Sequence, residues 1–247
     1  MSKQLLSVLI VAIALSLVAG ASNASRDVVV KPVESTEATQ IIVGPVAPGS
    51  IGEACQVGNL GAAAWAISNF IAPPEDYKLA FDPMATCDVC PVGFDVNQIS
   101  IQLQTAGACD IVMSVDVEEA VFPNSPTCPE PGEVMCASGL FNVSLPSSGG
   151  WIVTLPIDCD CLTMDRLYLL SIHFESATCD PVPDLVTTAS ATACTNWNNF
   201  GQGWYDLLVQ YPSWPGDLKI WADAECCSPP VPVEKSTWGA IKELYKD

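Results

Sequence analysis

Twelve cysteines constrain this chain more than any other feature. They stand at Cys55, Cys87, Cys90, Cys109, Cys128, Cys136, Cys159, Cys161, Cys179, Cys194, Cys226 and Cys227. An even count behind an apolar N-terminal leader reads as a disulfide framework formed in an oxidising compartment. Each bridge contributes about 2–4 kcal/mol by restricting the unfolded chain. Adjacent Cys226 and Cys227 must take different partners. Cys128 and Cys136 bracket a proline-rich loop and are placed to close it, and Cys179 and Cys194 are placed alike. In this setting Cys87-Asp88-Val89-Cys90 and Cys159-Asp160-Cys161 read as disulfide cysteines rather than zinc ligands or a redox pair. A redox pair needs a helix N-terminus to activate the thiol, and Pro91 and Gly93 follow instead. No C-x-x-C-H occurs, which excludes covalent haem attachment.

The leader is residues 1–21. Lys3 precedes an uncharged apolar run, Leu5 to Val18, and Ala19-Gly20-Ala21 supplies a small-x-small cleavage site. The run has 14 residues, and a spanning helix needs about 20. A cleaved signal peptide is therefore expected, with secretion to the exterior or the cell surface and no transmembrane segment in the mature chain. The formal charge is −19, from 9 basic and 28 acidic residues. Cleavage removes Lys3 alone, leaving 8 against 28, or −20. Such a surface repels phosphate backbones, so nucleic acid is not an expected partner.

Residues 22–54 contain little that could pack and read as an extended arm or linker. From Cys55 to Cys227 the pattern is strand, turn, strand. Asn97 to Gln104 (NQISIQLQ) alternates strictly, with Ile99, Ile101 and Leu103 on one face, which indicates a half-buried strand. Asp110 to Val117, Leu140 to Leu145, Trp151 to Leu155, Leu167 to Phe174, Leu185 to Thr188 and Asp217 to Trp221 continue the series. Ala62 to Phe70 fits a short helix or a strand. The breakers between strands, PNSPTCPEPGE, PSSGG, DPVPD and YPSWPGD, are rich in proline and glycine. The expected fold of residues 55–227 is an all-β, disulfide-stapled β-sandwich, jelly-roll-like. Residues 228–235 form a stiff proline-rich linker. Residues 236–247 then form a short amphipathic helix that needs a partner surface: Ser236 is its N-cap, and Trp238, Ile241, Leu244 and Tyr245 make its apolar stripe.

That ending, KSTWGAIKELYK, resembles the C-terminal STWGxIKxLY(R/K) motif of uncharacterised secreted bacterial β-domain proteins. Cys194 to Cys227 (CTNWNNFGQGWYDLL…GDLKIWADAECC) is similar to the last third of the β-domains that carry such endings. The likeness covers about a quarter of the chain. It implies a bacterial, exported and C-terminally sorted protein, and nothing about catalysis.

Catalytic signals are few. His173 is the single histidine and shares a strand face with Ser171, which reads as a solvent-facing or boundary position. No G-x-S-x-G elbow is present. Carboxylates such as Asp116, Glu118, Glu119, Asp158, Asp160, Asp165 and Asp206 are plentiful, and none stands out as a glycosidase pair. Asp158 with Asp160, and Asp180 with Asp184, are candidate loop ligands for a structural calcium; no other cofactor is expected. Trp197, Phe200, Trp204, Tyr205, Tyr211, Trp214 and Trp221 cluster among amide side chains. The favoured reading is that these rings fill the core and pack on the disulfides. The alternative is a glycan-stacking platform of Trp197, Trp204 and Trp214, with Trp214 the best placed for exposure between two prolines, and Trp221 is expected in the core. The first functional expectation is an exported structural or interaction protein, not an enzyme, which self-assembles or meets a surface partner through its arm or terminal helix. A carbohydrate-binding module is second and a secreted hydrolase third.

Overall fold

The computed structural model describes residues 26–34, 37–44, 54–201 and 203–227. The expected signal peptide, linker and terminal helix, with Trp238, Ile241, Leu244 and Tyr245, lie outside the described residues. The described chain is nearly all β. Its strands are β1 (Val29–Pro32), β2 (Thr39–Ile42), β3 (Ala54–Gly58), β4 (Trp65–Ser68), β5 (Glu75–Phe81), β6 (Gly93–Thr105), β7 (Cys109–Val121), β8 (Glu130–Ala137), β9 (Phe141–Leu145), β10 (Gly149–Thr163), β11 (Tyr168–Ala177), β12 (Asp184–Thr187), β13 (Asn196–Asn199), β14 (Trp204–Asp206) and β15 (Ile220–Cys226). Two single-turn helices, α1 (Pro83–Thr86) and α2 (Leu207–Gln210), interrupt them. Within Ala62 to Phe70, residues Trp65–Ser68 form strand β4 rather than a helix.

The strands form two sheets. One runs β1-β4-β12-β6-β10-β2. There β12 meets β6 at Leu103 and Gln104, while β15 takes the rest of that edge from Phe94 to Ile101 and carries β3 on its far side. The other runs β14-β13-β5-β11-β7-β8, with β9 also on β7. Period-two alternation turns one face of each strand inward. Ile99, Ile101 and Leu103 from β6 share a single apolar core with Tyr77 and Leu79 from β5, Val115 and Val117 from β7, and Leu170 and Ile172 from β11. The opposite face of β6 is buried as well: Ser100, Gln102 and Gln104 are each at most 6% exposed. The pattern NQISIQLQ shows which residues alternate, not how many layers cover them. Ser100 shares a hydrogen bond with the Thr154 hydroxyl at 2.8 Å, and the Gln104 side chain accepts from the Glu34 backbone at 3.0 Å.

That last contact marks the path of the N-terminal arm. The arm is extended, as its composition implies, but its described part is not unpaired. β1 pairs antiparallel with β4, and β2 pairs parallel with β10, so the same segment supplies both ends of the first sheet's strand path. Between them it passes the ends of β6 and β10, where a Cβ on Gly150 would meet Ala38 at 3.6 Å. Short added strands of this kind blunt an otherwise open sheet edge. At its start, Arg26 donates to the Phe70 carbonyl at 2.8 Å, pairs with the buried Glu75 carboxylate and lies over the Phe70 and Phe200 rings.

All twelve cysteines are bridged: Cys55–Cys87, Cys90–Cys226, Cys109–Cys179, Cys128–Cys194, Cys136–Cys159 and Cys161–Cys227. Cys226 and Cys227 take different partners, as adjacency requires. The expected local closures do not form. Cys128 and Cys136 go to Cys194 and Cys159, and Cys179 goes back to Cys109. Sequence proximity favours short loops, but strand pairing decides which sulfurs come within bonding distance. Likewise Cys87 bonds back to Cys55 and Cys90 forward to Cys226, so the C-x-x-C is not bridged as a redox pair.

Candidate functional site

The outward face of the second sheet carries a connected polar arrangement. Alternation in β5 sends Tyr77, Leu79 and Phe81 inward and Asp76, Lys78 and Ala80 outward. In β11 it sends Ser171 and His173 outward, and in β7 Asp116 and Glu118. Register brings these together: Lys78 lies opposite Ser171 and Ser171 opposite Asp116, while Asp76 lies opposite His173. His173 bonds Asp76 through Nδ1 at 2.6 Å and Asp116 through Nε2 at 2.5 Å. The Lys78 ammonium donates to Glu118 Oε1 and sits 4.0 Å from the centre of the Trp204 ring.

Although outward-facing, this set is largely covered. Lys78, Ser171, Asp116 and Glu118 are between 0% and 5% exposed. A second, small apolar layer lies over the sheet here, made of Ala120, Leu169 and Trp197 with Leu167, Trp204 and Cys128 packed against it. The Cys128–Cys194 bridge fastens that layer. Burial opposes charge on His173, but its hydrogen bonds to Asp116 and Asp76 outweigh that and raise its pKa to about 9. Burial likewise pushes against ionisation of Asp116, and the His173 bond reverses the direction to lower it. For Glu118 burial prevails over the Lys78 bond and the carboxyl is raised.

His173 is thus an imidazolium at neutral pH, clasped between two carboxylates. Its folded pKa exceeds its unfolded value of about 6.5. Its contribution to stability is complete below that value and is lost as pH rises through about 9. Urea midpoints are expected to fall between pH 6 and pH 9.5 by an amount worth about 2–3 kcal/mol. A His173→Gln chain should show a flatter profile over that window; an equally steep one would assign the loss elsewhere.

The proposed platform rings are not brought together on an exposed face. Trp214, the ring best placed for exposure by its sequence, is 3% exposed, as the core reading of these rings has it. Its loop turns inward because residues 211–217 are tied to residues 187–190: Thr188 donates its backbone N–H to Asp217 at 2.9 Å, and Asp217 to Ser190 at 3.2 Å. Gly216 permits this approach, since a Cβ there would meet the Thr188 carbonyl oxygen at 1.8 Å. The indole then packs on Phe70 with centroids 5.0 Å apart. Trp197 is 5% exposed, and half-buried Trp204 covers Lys78. Trp221, expected in the core, takes the outward face of β15 because Ile220, Ala222 and Ala224 point inward. There it lies under the Lys219 ammonium, 5.0 Å away.

The calcium candidates fall in two places. Asp158 and Asp160 are exposed on β10 and line a shallow cleft of about 340 Å³ with Met135 and Arg166. Asp184 is buried and paired with Lys31 at 2.9 Å, while Asp180 is exposed. The tighter groupings of metal-binding residue types, Cys55 with Cys87 and Cys90, Asp95 with Cys161 and Cys227, and Cys128 with Cys194 and Asp206, use sulfurs already committed to disulfides. A larger cleft of about 580 Å³ lies by β3 and β15, lined by Gln56, Gln98, Asp223 and Glu225 among others. Lys78 and Asp76 were not legible as site residues. Alternation in EDYKLAF indicates their face, but only the β5–β11–β7 register places them beside His173, Asp116 and Glu118.

Solved structures show a distant likeness. One contains the cysteine protease and lectin-like domains of Cwp84, a surface layer associated protein of Clostridium difficile; it covers 66% of this chain and 34% of its own, at 10% identity and a TM-score of 0.39. Another is the clostridial cysteine protease Cwp84 after propeptide cleavage, covering 64% and 37%, at 10% identity and a TM-score of 0.41. This chain spans about a third of the length of those chains, and likeness at that level carries no argument about function. Among curated proteins no sequence matches. Residues 62–224 match the family model described as a domain of unknown function, DUF7451, and the chain belongs to that family.

Proposed function

We propose that the protein is exported and serves as a structural or interaction component of the cell exterior, without catalytic activity. The observation that carries this reading is the closure of all twelve cysteines into six bridges between segments distant in sequence. Such bridges persist outside the cytoplasm and hold a fold against conditions that would unfold an unbridged one. In this reading the two sheets are a jelly-roll-like sandwich. The arm supplies both end strands of that sandwich's first sheet path, and residues 236–247 serve as a tag or docking segment for a partner. Any calcium at Asp158 and Asp160 would be structural. A glycan platform would require rings sharing an exposed face, and Trp197, Trp204 and Trp214 do not share one. The carboxylates a hydrolase could use on the polar face, Asp116 and Glu118, are engaged by His173 and Lys78.

Light scattering on the mature chain, purified from an oxidising compartment, is expected to show assemblies larger than one chain or retention on isolated cell-envelope material. A monomer at every concentration that binds no envelope fraction overturns the reading. So does turnover of a polysaccharide that is lost in Glu118→Gln.

A further inference from the structure

The pair of Lys78 and Glu118 is unusual in being buried at both ends while carrying opposite charges. Lys78 is 1% exposed and Glu118 4% exposed. They come from β5 and β7, with β11 between them. The ammonium nitrogen contacts Glu118 Oε1 and is capped by the Trp204 ring. Glu118 Oε2 is buried with no hydrogen-bond partner. Leu169, Ala120 and Trp197 close the surroundings. Desolvating two charges is costly, and their attraction repays it only when the remaining lone pairs are satisfied. Here one carboxylate oxygen is not.

We propose that Lys78 and Glu118 condense into an intramolecular isopeptide bond linking β5 to β7. A proton first passes from the Lys78 ammonium to the Glu118 carboxylate, leaving a neutral amine beside a neutral acid. The Lys78 nitrogen then attacks Glu118 Cδ and a C–N bond forms. A C–O bond of the acid breaks, and the departing hydroxyl takes a second proton from nitrogen and leaves as water. One positive and one negative charge become one neutral amide with its N–H retained. Nothing is oxidised or reduced, and no co-reactant is consumed.

Three features favour the step. Contact replaces a bimolecular encounter with an intramolecular one. Burial raises the Glu118 carboxyl, the direction that a neutral, attackable acid requires. The amide also removes both charges from an apolar setting. β5 contains no cysteine, so none of the six disulfides fastens it, and this bond would do so in a form that reductants do not break. The inference does not depend on the structural or interaction reading.

The test is mass spectrometry of the full chain made in an oxidising compartment, reduced, alkylated and denatured. The expected mass is lower by one water, about 18 Da, than that calculated for its own measured N-terminus. Proteolysis should release one branched peptide containing both Lys78 and Glu118. Lys78→Arg should restore the full mass. If that variant does not fold, the peptide map of the unaltered chain decides alone. A fully hydrated mass, or a water deficit that maps to any other pair of residues, overturns the proposal.

Discussion

Replacing both Cys90 and Cys226 by alanine is expected to lower unfolding free energy by about 4 kcal/mol. Their bridge spans 136 residues, the longest separation of the six. In the chain-entropy account the effect grows with the logarithm of loop length, so this bridge should matter most and Cys136–Cys159, spanning 23 residues, less, at about 3 kcal/mol. The margin is narrow because the other bridges shorten the loop that Cys90 and Cys226 close. Urea unfolding of the two double variants gives the comparison. Equal losses would mean that native-state geometry, rather than unfolded-chain entropy, sets each contribution.

Trp214→Ala is expected to cost about 3–5 kcal/mol, the range for deleting a large buried aromatic. The ring fills the space between the loop at residues 211–217 and Phe70, which also meets Tyr211 edge-on at 5.2 Å. Surroundings fixed by Gly216 and the Thr188 contacts cannot collapse into the space. Trp214→Phe should cost much less, since the indole N–H has no hydrogen-bond partner to lose. Trp221→Ala, on the outward face of β15, should cost about 1 kcal/mol. Thermal or urea midpoints of the three variants check the order. A larger loss at Trp221 than at Trp214 would reverse the placement of the two rings.

Each tryptophan shows where local reasoning stops. Pro212 and Pro215 mark a loop correctly, but a loop can turn inward when its backbone finds partners there, as it does along residues 187–190. Trp221 sits in a strand as expected, and the inward face of that strand is decided by its pairing with β3 and β6. Period two gives two candidate faces and does not say which meets the core. The same holds for the arm. Its lack of a packing pattern is real, yet main-chain hydrogen bonding to β4 and β10 needs no pattern in the side chains.

By itself the sequence determined what depends on neighbouring residues or on composition. Alternation at Ile99, Ile101 and Leu103 marks a strand, and the proline- and glycine-rich breakers mark its neighbours, except that the end of PNSPTCPEPGE lies within β8, Glu130–Ala137. The even cysteine count implied complete pairing, and adjacency forced Cys226 and Cys227 apart. His173 and Ser171 were assigned to one face by parity. Only the tertiary structure decided which cysteines meet, which strands flank one another and what covers the outward face of β5, β11 and β7. Those outcomes depend on contacts between residues tens of positions apart: 40 for Lys78 and Glu118, and 57 for His173 and Asp116. No local pattern encodes such pairings, because each is set by strand order and register, which minimise exposed apolar area over the whole chain at once.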